Sequence, residues 1–142
     1  AFVRNFYRVH TDFLVKREDI RWRWTPADLV SKELLPKMQT DVSLTTATRK
    51  IIIDCKFTPQ ATQLHYEAEK LQSGHLYQLL AYMDNLTGGE LAESCEMLLL
   101  YPTVSAPLSA TYSHHGHKIS IRTINLNQPW QEIERDMRAL IA

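Results

Sequence analysis

Only four glycines, six prolines and two cysteines are spread through these 142 residues. Glycine and proline this sparse leave no linker, and with no repeat or low-complexity tract the chain reads as one domain. The cysteines, Cys55 and Cys95, form no CxxC pair. A small secreted scaffold would carry more of them, so a reduced, cytoplasmic setting is expected, with Cys55 as a buried core thiol. No apolar run approaches the ~20 residues that cross a bilayer, and no signal-peptide core is present, which excludes a membrane protein. An excess of one charge is missing too, with 16 basic against 16 acidic side chains. The balance is uneven along the chain: residues 1–56 hold 11 Lys/Arg against 7 Asp/Glu, and residues 57–142 hold 5 against 9. A basic front half is compatible with a phosphate-bearing partner.

What is present suffices for a globular core: 44% of residues are hydrophobic and 23% charged, which sets disorder aside. The chain opens Ala1-Phe2-Val3-Arg4 without an initiator Met, and the expectation is an excised C-terminal fragment of a longer protein.

Phe2, Val3, Phe6 and Tyr7 recur at helical spacing and predict a helix near residues 1–10. Residues 12–24 alternate in patches (Phe13, Val15; Ile20, Trp22, Trp24) and predict short strands or a hairpin. The tryptophans are assigned to the core, with Arg21 and Arg23 on the alternate face. Thr25-Pro26 predicts a helix with Thr25 as cap and Asp28 in its first turn, ended by Pro36. Met38, Thr40, Val42 and Leu44 alternate with polar residues at period two. Ile51-Ile52-Ile53 then leads a β-branched strand into Asp54-Cys55-Lys56, with Thr46–Arg49 as the turn. Residues 59–72 read as loop or irregular helix. Ser73 opens a helix with Leu76, Leu79, Leu80 and Met83 as its core stripe, stopped by Gly88-Gly89. A buried strand over Met97–Tyr101, a loop over Ser105–Gly116, a strand over Lys118–Ile124 and a helix from Pro129 complete the chain. Helices alternating with strands predict an α/β fold with a mixed sheet.

Strand parity puts Asp54 and Lys56 on one face, with Ile51, Ile53 and Cys55 on the opposite, core-facing side. If the hairpin is symmetric about the Ala47–Thr48 bond, Asp41 faces Asp54, with Cβ atoms ~4.5–5.5 Å apart. Two carboxylates that close call for a shared proton or a cation, and oxygen ligands favour Mg²⁺ or Mn²⁺ over zinc. With a lysine beside them, the set suits phosphodiester hydrolysis. The bland alternative is an ordinary exposed D-x-K ion pair. His75, Gln78 and Tyr82 form a polar-aromatic stripe on the helix from Ser73, which either faces the carboxylates or lies on a half-exposed flank. Periodicity alone favours the flank.

Three segments together resemble the McrC family, within the PD-(D/E)XK or restriction-endonuclease-like superfamily. They are Leu34-Leu35-Pro36-Lys37-Met38-Gln39-Thr40-Asp41, Ile52-Ile53-Asp54-Cys55-Lys56, and Ser73-Gly74-His75-Leu76-Tyr77-Gln78-Leu79-Leu80-Ala81-Tyr82. The resemblance covers most of the chain. It implies a single nuclease domain over residues 1–142, with a central mixed sheet flanked by helices. It also implies a Mg²⁺-dependent DNA endonuclease subunit of a modification-dependent (5-methylcytosine-type) restriction system used in phage defence. Asp41 and Asp54 would bind metal, the Cys55 carbonyl would be a further ligand, and Lys56 would be the catalytic lysine. Gln78 and Tyr82 match the family's Q-x-x-x-Y helix, and with His75 would contact DNA or support the site. The superfamily often adds an acid on the first helix, but this chain has none before Asp12. The implied partners are DNA and an McrB-like, GTP-driven AAA+ motor, which must be another protein because this chain has no Walker A motif.

Two alternatives stand beside this one. A catalytically silent DNA-binding or scaffolding module would share the fold. A zinc site would use His114-His115-x-His117 with Cys95 or His65, although a solvated hairpin tip accounts for these histidines more simply. Arg21-Trp22-Arg23-Trp24 is also compatible with phosphate contact or base stacking.

Overall fold

A computed structural model describes residues 1–57, 73–87, 94–103 and 107–142. Four helices occur among them: α1 (Phe2–His10), α2 (Leu29–Leu34), α3 (Ser73–Thr87) and α4 (Trp130–Leu140). The strands are β1 (Leu14–Lys16), β2 (Asp19–Ile20), β3 (Met38–Gln39), β4 (Val42–Thr45), β5 (Arg49–Cys55), β6 (Ser94–Thr103), β7 (Ser109–His114) and β8 (His117–Asn125). Six of them form one mixed sheet in the order β1-β4-β5-β6-β8-β7, and β2 and β3 form a separate two-stranded ribbon. The β5–β6 and β6–β8 pairs are parallel, and the other pairs of the sheet are antiparallel. The fold is the expected α/β restriction-endonuclease-like architecture.

Both faces of the sheet are covered, which explains why β5 carries three consecutive isoleucines rather than a strict alternation. Ile51 and Ile53 pack with Val3, Phe6 and Tyr7 of α1 and with Ile133 and Met137 of α4. Ile52 points the other way, toward Leu79, Tyr82 and Met83 of α3. The outer helices α1 and α4 are tied together by the buried Tyr7 hydroxyl, which donates to the Met137 carbonyl at 2.7 Å. Among the described residues no helix is long and apolar enough to cross a membrane.

The β4–β5 hairpin has the predicted register: Val42 pairs with Ile53 and Thr45 with Lys50. Its turn needs no glycine, because Thr46 Oγ1 accepts from Arg49 N at 3.0 Å and Thr46 N donates to the Arg49 carbonyl at 2.8 Å.

Elsewhere the fold departs from expectation. The cap of α2 is Asp28, whose Oδ1 accepts from Ser31 N at 2.7 Å, so the helix starts three residues after Pro26. Of the two alternatives for residues 12–24, short strands rather than a hairpin are found: β1 pairs with β4, and β2 pairs with β3. Trp24 is 63% exposed rather than core, while Trp22 is half-buried. On α3, Leu80 is exposed and Tyr82 takes the buried position expected of it. The stretch read as loop from Ser105 holds strand β7, an edge strand paired with β8. Its side chains are mostly exposed, so no apolar alternation marks it. Residues 59–72, Gly88-Gly89 and His65 lie outside the described residues.

Candidate active site

The site forms where β5 emerges from the sheet on the α3 side. Asp54 is only 3% exposed, so the bland reading of a solvated ion pair fails at its first condition. Burial pushes its carboxyl above the usual carboxylate range and outweighs the opposing pull of Lys56, and the neighbouring Asp41 charge adds to the rise.

Lys56 Nζ lies 2.7 Å from Asp54 Oδ2 and donates to Gln78 Oε1 at 2.6 Å. Apart from this ion pair, the buried Oδ2 has no further hydrogen-bond partner among the described residues.

Asp41 is placed by the start of β4, immediately before Val42. Lys56 N donates to the Leu100 carbonyl on β6, so by alternation Cys55 N points back toward β4. There the ladder has stopped, and the Asp41 side chain takes over: its Oδ2 accepts from Cys55 N at 2.8 Å. This contact fixes one oxygen of Asp41 and holds its carboxylate beside that of Asp54. The Cys55 thiol sits against the α1 core, and burial together with the two aspartates pushes it up to about 12, so it remains a thiol.

The α3 stripe faces the carboxylates rather than a solvent flank, which corrects the expectation from periodicity. Gln78 Nε2 donates to the Tyr82 hydroxyl at 2.7 Å, and that hydroxyl donates to the Gln39 carbonyl at 3.1 Å. Lys56, Gln78 and Tyr82 thus make a chain of donors that ends two residues before Asp41. Burial raises Tyr82 above the ordinary phenol range, which keeps it the donor this chain requires. His75 joins from one turn earlier, its Nδ1 2.7 Å from the Tyr101 hydroxyl. Burial first, and the Lys56 charge second, lower the His75 pKa.

Tyr101 and the Gln39 carbonyl were not singled out in the sequence. Tyr101 was findable: it follows Leu100, the parallel partner of Cys55, and so lies at the C-terminal ends of the parallel strands, where open α/β sheets place their sites.

The donor set fits a hard divalent ion of the Mg²⁺ type. Such an ion takes one or two protein carboxylates and leaves its remaining positions to water and phosphate. Asp41 and Asp54 supply two carboxylates, one with a buried oxygen that has no hydrogen-bond partner among the described residues beyond its Lys56 ion pair. Among the described residues zinc finds no equivalent. His114 and His115 are exposed at the β7–β8 turn, and among the described residues no three His, Cys, Asp or Glu are grouped to hold a metal.

No family model matches the chain. Over 121 residues it is 31% identical to the type IV methyl-directed restriction enzyme EcoKMcrBC of Escherichia coli K12. The match covers 85% of this chain, and the chain spans 34% of that relative's length.

Proposed function

The chain belongs to the McrC family, and we propose that it is the nuclease part of a modification-dependent restriction system, hydrolysing phosphodiester bonds of DNA with the aid of Mg²⁺. The observation that carries this reading is the buried Asp54 beside Asp41, with Lys56 fixed between Asp54 and Gln78. In this reading Asp41, Asp54 and the Cys55 carbonyl hold the ion, and Mn²⁺ substitutes for it. When bound, the ion supplies Lewis-acid polarisation of the phosphate and a more acidic water. The chain's own residues do the rest. Gln78 and Asp54 hold the Lys56 ammonium at the mouth of the site, where it offsets charge developing on the phosphate. Tyr82 and Gln78 keep the lysine from swinging away, and His75 with Tyr101 borders the same space. The methyl-directed activity named for the relative brings 5-methylcytosine-type DNA into the proposal as substrate context. An McrB-like, GTP-driven AAA+ motor is the proposed partner.

The test is calorimetric titration of Mn²⁺ into the protein, beside an Asp41→Asn/Asp54→Asn double variant. Binding by the parent and none by the double variant is the expected result. In the assembled system, Asp54→Ala or Lys56→Ala should abolish DNA cleavage while circular dichroism stays native. Cleavage retained by either variant would overturn the assignment. Absence of metal binding by the parent would favour the silent DNA-binding or scaffolding module instead.

A further inference from the structure

Beyond β2 the chain continues as Arg21-Trp22-Arg23-Trp24 along the β2–β3 ribbon, and two contacts hold it rigid. Arg23 N donates to Asn85 Oδ1 of α3 at 2.7 Å, and the Trp22 indole N–H donates to the Pro36 carbonyl at 2.7 Å. Trp24 leans on Trp22, with ring centroids 4.8 Å apart and planes inclined by 48°. Core packing accounts for Trp22, which touches the α3-side cluster. It does not account for Trp24, which is 63% exposed and held in place by a fixed neighbour.

The surroundings are basic. A cavity of about 360 Å³ beside the two rings is bordered by Arg21, Lys32 and Lys37, against the single acid Asp19. Asp19 is already engaged by Gln39 Nε2 at 2.8 Å and lies 3.7 Å from Lys37 Nζ. Arg23 is exposed as well. A positive field around an open indole face complements a nucleic acid strand, whose bases offer π-faces and whose phosphates offer negative charge.

Position strengthens the match. Pro36, which anchors Trp22, is five residues from Asp41 along a largely extended chain. That bounds the Pro36-to-Asp41 span at ~18 Å, on the order of five stacked nucleotides at ~3.4 Å each. We propose that Trp24, backed by Trp22 and flanked by Arg21, Arg23 and Lys37, is a stacking platform for an unpaired base of the DNA strand entering the Asp41–Asp54–Lys56 site. The proposal rests on the nuclease reading above. The base must be unpaired, because within an intact duplex both of its faces are covered by neighbouring base pairs. The arginines and lysine take the flanking phosphates, and stacking of this kind tolerates any sequence.

The full-length protein carrying Asp54→Asn, which leaves DNA uncut, is the background for the test. Fluorescence anisotropy with a short mixed-sequence single strand, and with the same sequence as duplex, reads the platform directly. Trp24→Ala should weaken single-strand binding roughly tenfold and change duplex binding little. Trp24→Phe should recover most of the loss, and Arg21→Gln/Arg23→Gln should flatten the salt dependence by roughly 1.4 in log–log slope. Single-strand affinity unchanged by Trp24→Ala overturns the proposal, as does failure of the parent to bind the single strand. Light scattering on the same samples covers the remaining outcome. If Trp24→Ala alters particle mass and not DNA affinity, the exposed Leu29, Val30 and Leu34 of α2 belong with Trp24 to a protein-docking face, and the platform is wrong. Loss of Mg²⁺-dependent cleavage in Asp54→Asn relative to the unmutated protein is scored separately and tests only the nuclease reading.

Discussion

At the scale of single residues, Asp54 shows function set against stability. Its carboxyl is raised by burial more than Lys56 can lower it, so the folded state disfavours the ionised form. A folded-state value above the unfolded one means that a penalty is present at neutral pH and fades as pH falls through the carboxylate range. Asp54→Asn keeps the shape and removes the charge. We expect it to raise the melting temperature at pH 7, to lose that gain near pH 4, and to abolish cleavage. A variant melting below the parent at pH 7 would contradict this account. Gln78 acts one step back, through Lys56. Gln78→Ala should lower kcat roughly 10–100-fold with little change in KM, a split that general destabilisation would not produce. The approach of Asp41 to Asp54 is legible in the sequence, since it needs only the period of a strand and a symmetric turn that sets the register of the neighbouring Val42–Ile53 pair. The role of Gln78 and Tyr82 was not legible from periodicity. A helical wheel says which residues share a face but not what that face meets, and α3 is separated from β5 by residues 56–72.

At the scale of elements, the ribbon is locked to the hairpin by Glu18. Its backbone exchanges bonds with Thr40, accepting from Thr40 N at 2.8 Å and donating to Thr40 Oγ1 at 2.9 Å. Its carboxylate accepts from Lys50 Nζ at 2.9 Å and from the Ser43 hydroxyl at 2.7 Å. Burial pushes this carboxyl up, but the Lys50 and Ser43 donors together outweigh it, and the net position is below the usual range. The sign is opposite to that of Asp54: the stabilisation is present above the unfolded carboxylate range and is lost as pH falls through it. Glu18→Gln should therefore destabilise at pH 7 by about 1–3 kcal/mol, leaving Lys50 without its anion, with the deficit narrowing near pH 4. Denaturant melts at the two pH values decide the matter. The β7–β8 turn gives a second test. His115 and Gly116 both have positive φ, at 49° and 79°, the left-handed pair of a tight two-residue hairpin. Gly116→Ala should cost about 1 kcal/mol although it meets no steric obstacle. The strand leading into that turn is hidden in the sequence because an exposed edge strand carries no apolar alternation, and the exposed Trp24 departs from expectation because size and hydrophobicity alone suggest burial.

At the scale of the whole molecule, the two ends of β5 carry separate tasks. One end opens into the carboxylate site. At the other, the Arg49 guanidinium donates to Glu96 and, at 2.6 Å, to the Ile141 carbonyl, fastening the residue after α4 to the sheet. Asp54 lies five positions after Arg49, about 16 Å along a strand, far enough for perturbations at the two ends to add independently. Arg49→Met leaves Glu96 and that carbonyl without this donor, and should lower stability by about 1–3 kcal/mol. Ligand binding to the folded state adds its own increment, about 2.7 kcal/mol at a hundredfold excess over Kd. Mn²⁺ should then raise the melting temperature of Arg49→Met by the same step as that of the parent, from a lower starting point. The Asp41→Asn/Asp54→Asn double variant should show no step at all. Loss of the Mn²⁺ step in Arg49→Met would mean that β5 transmits strain along its whole length, and that the site depends on the fastening of α4 as well as on the local geometry of Asp41, Asp54 and Lys56.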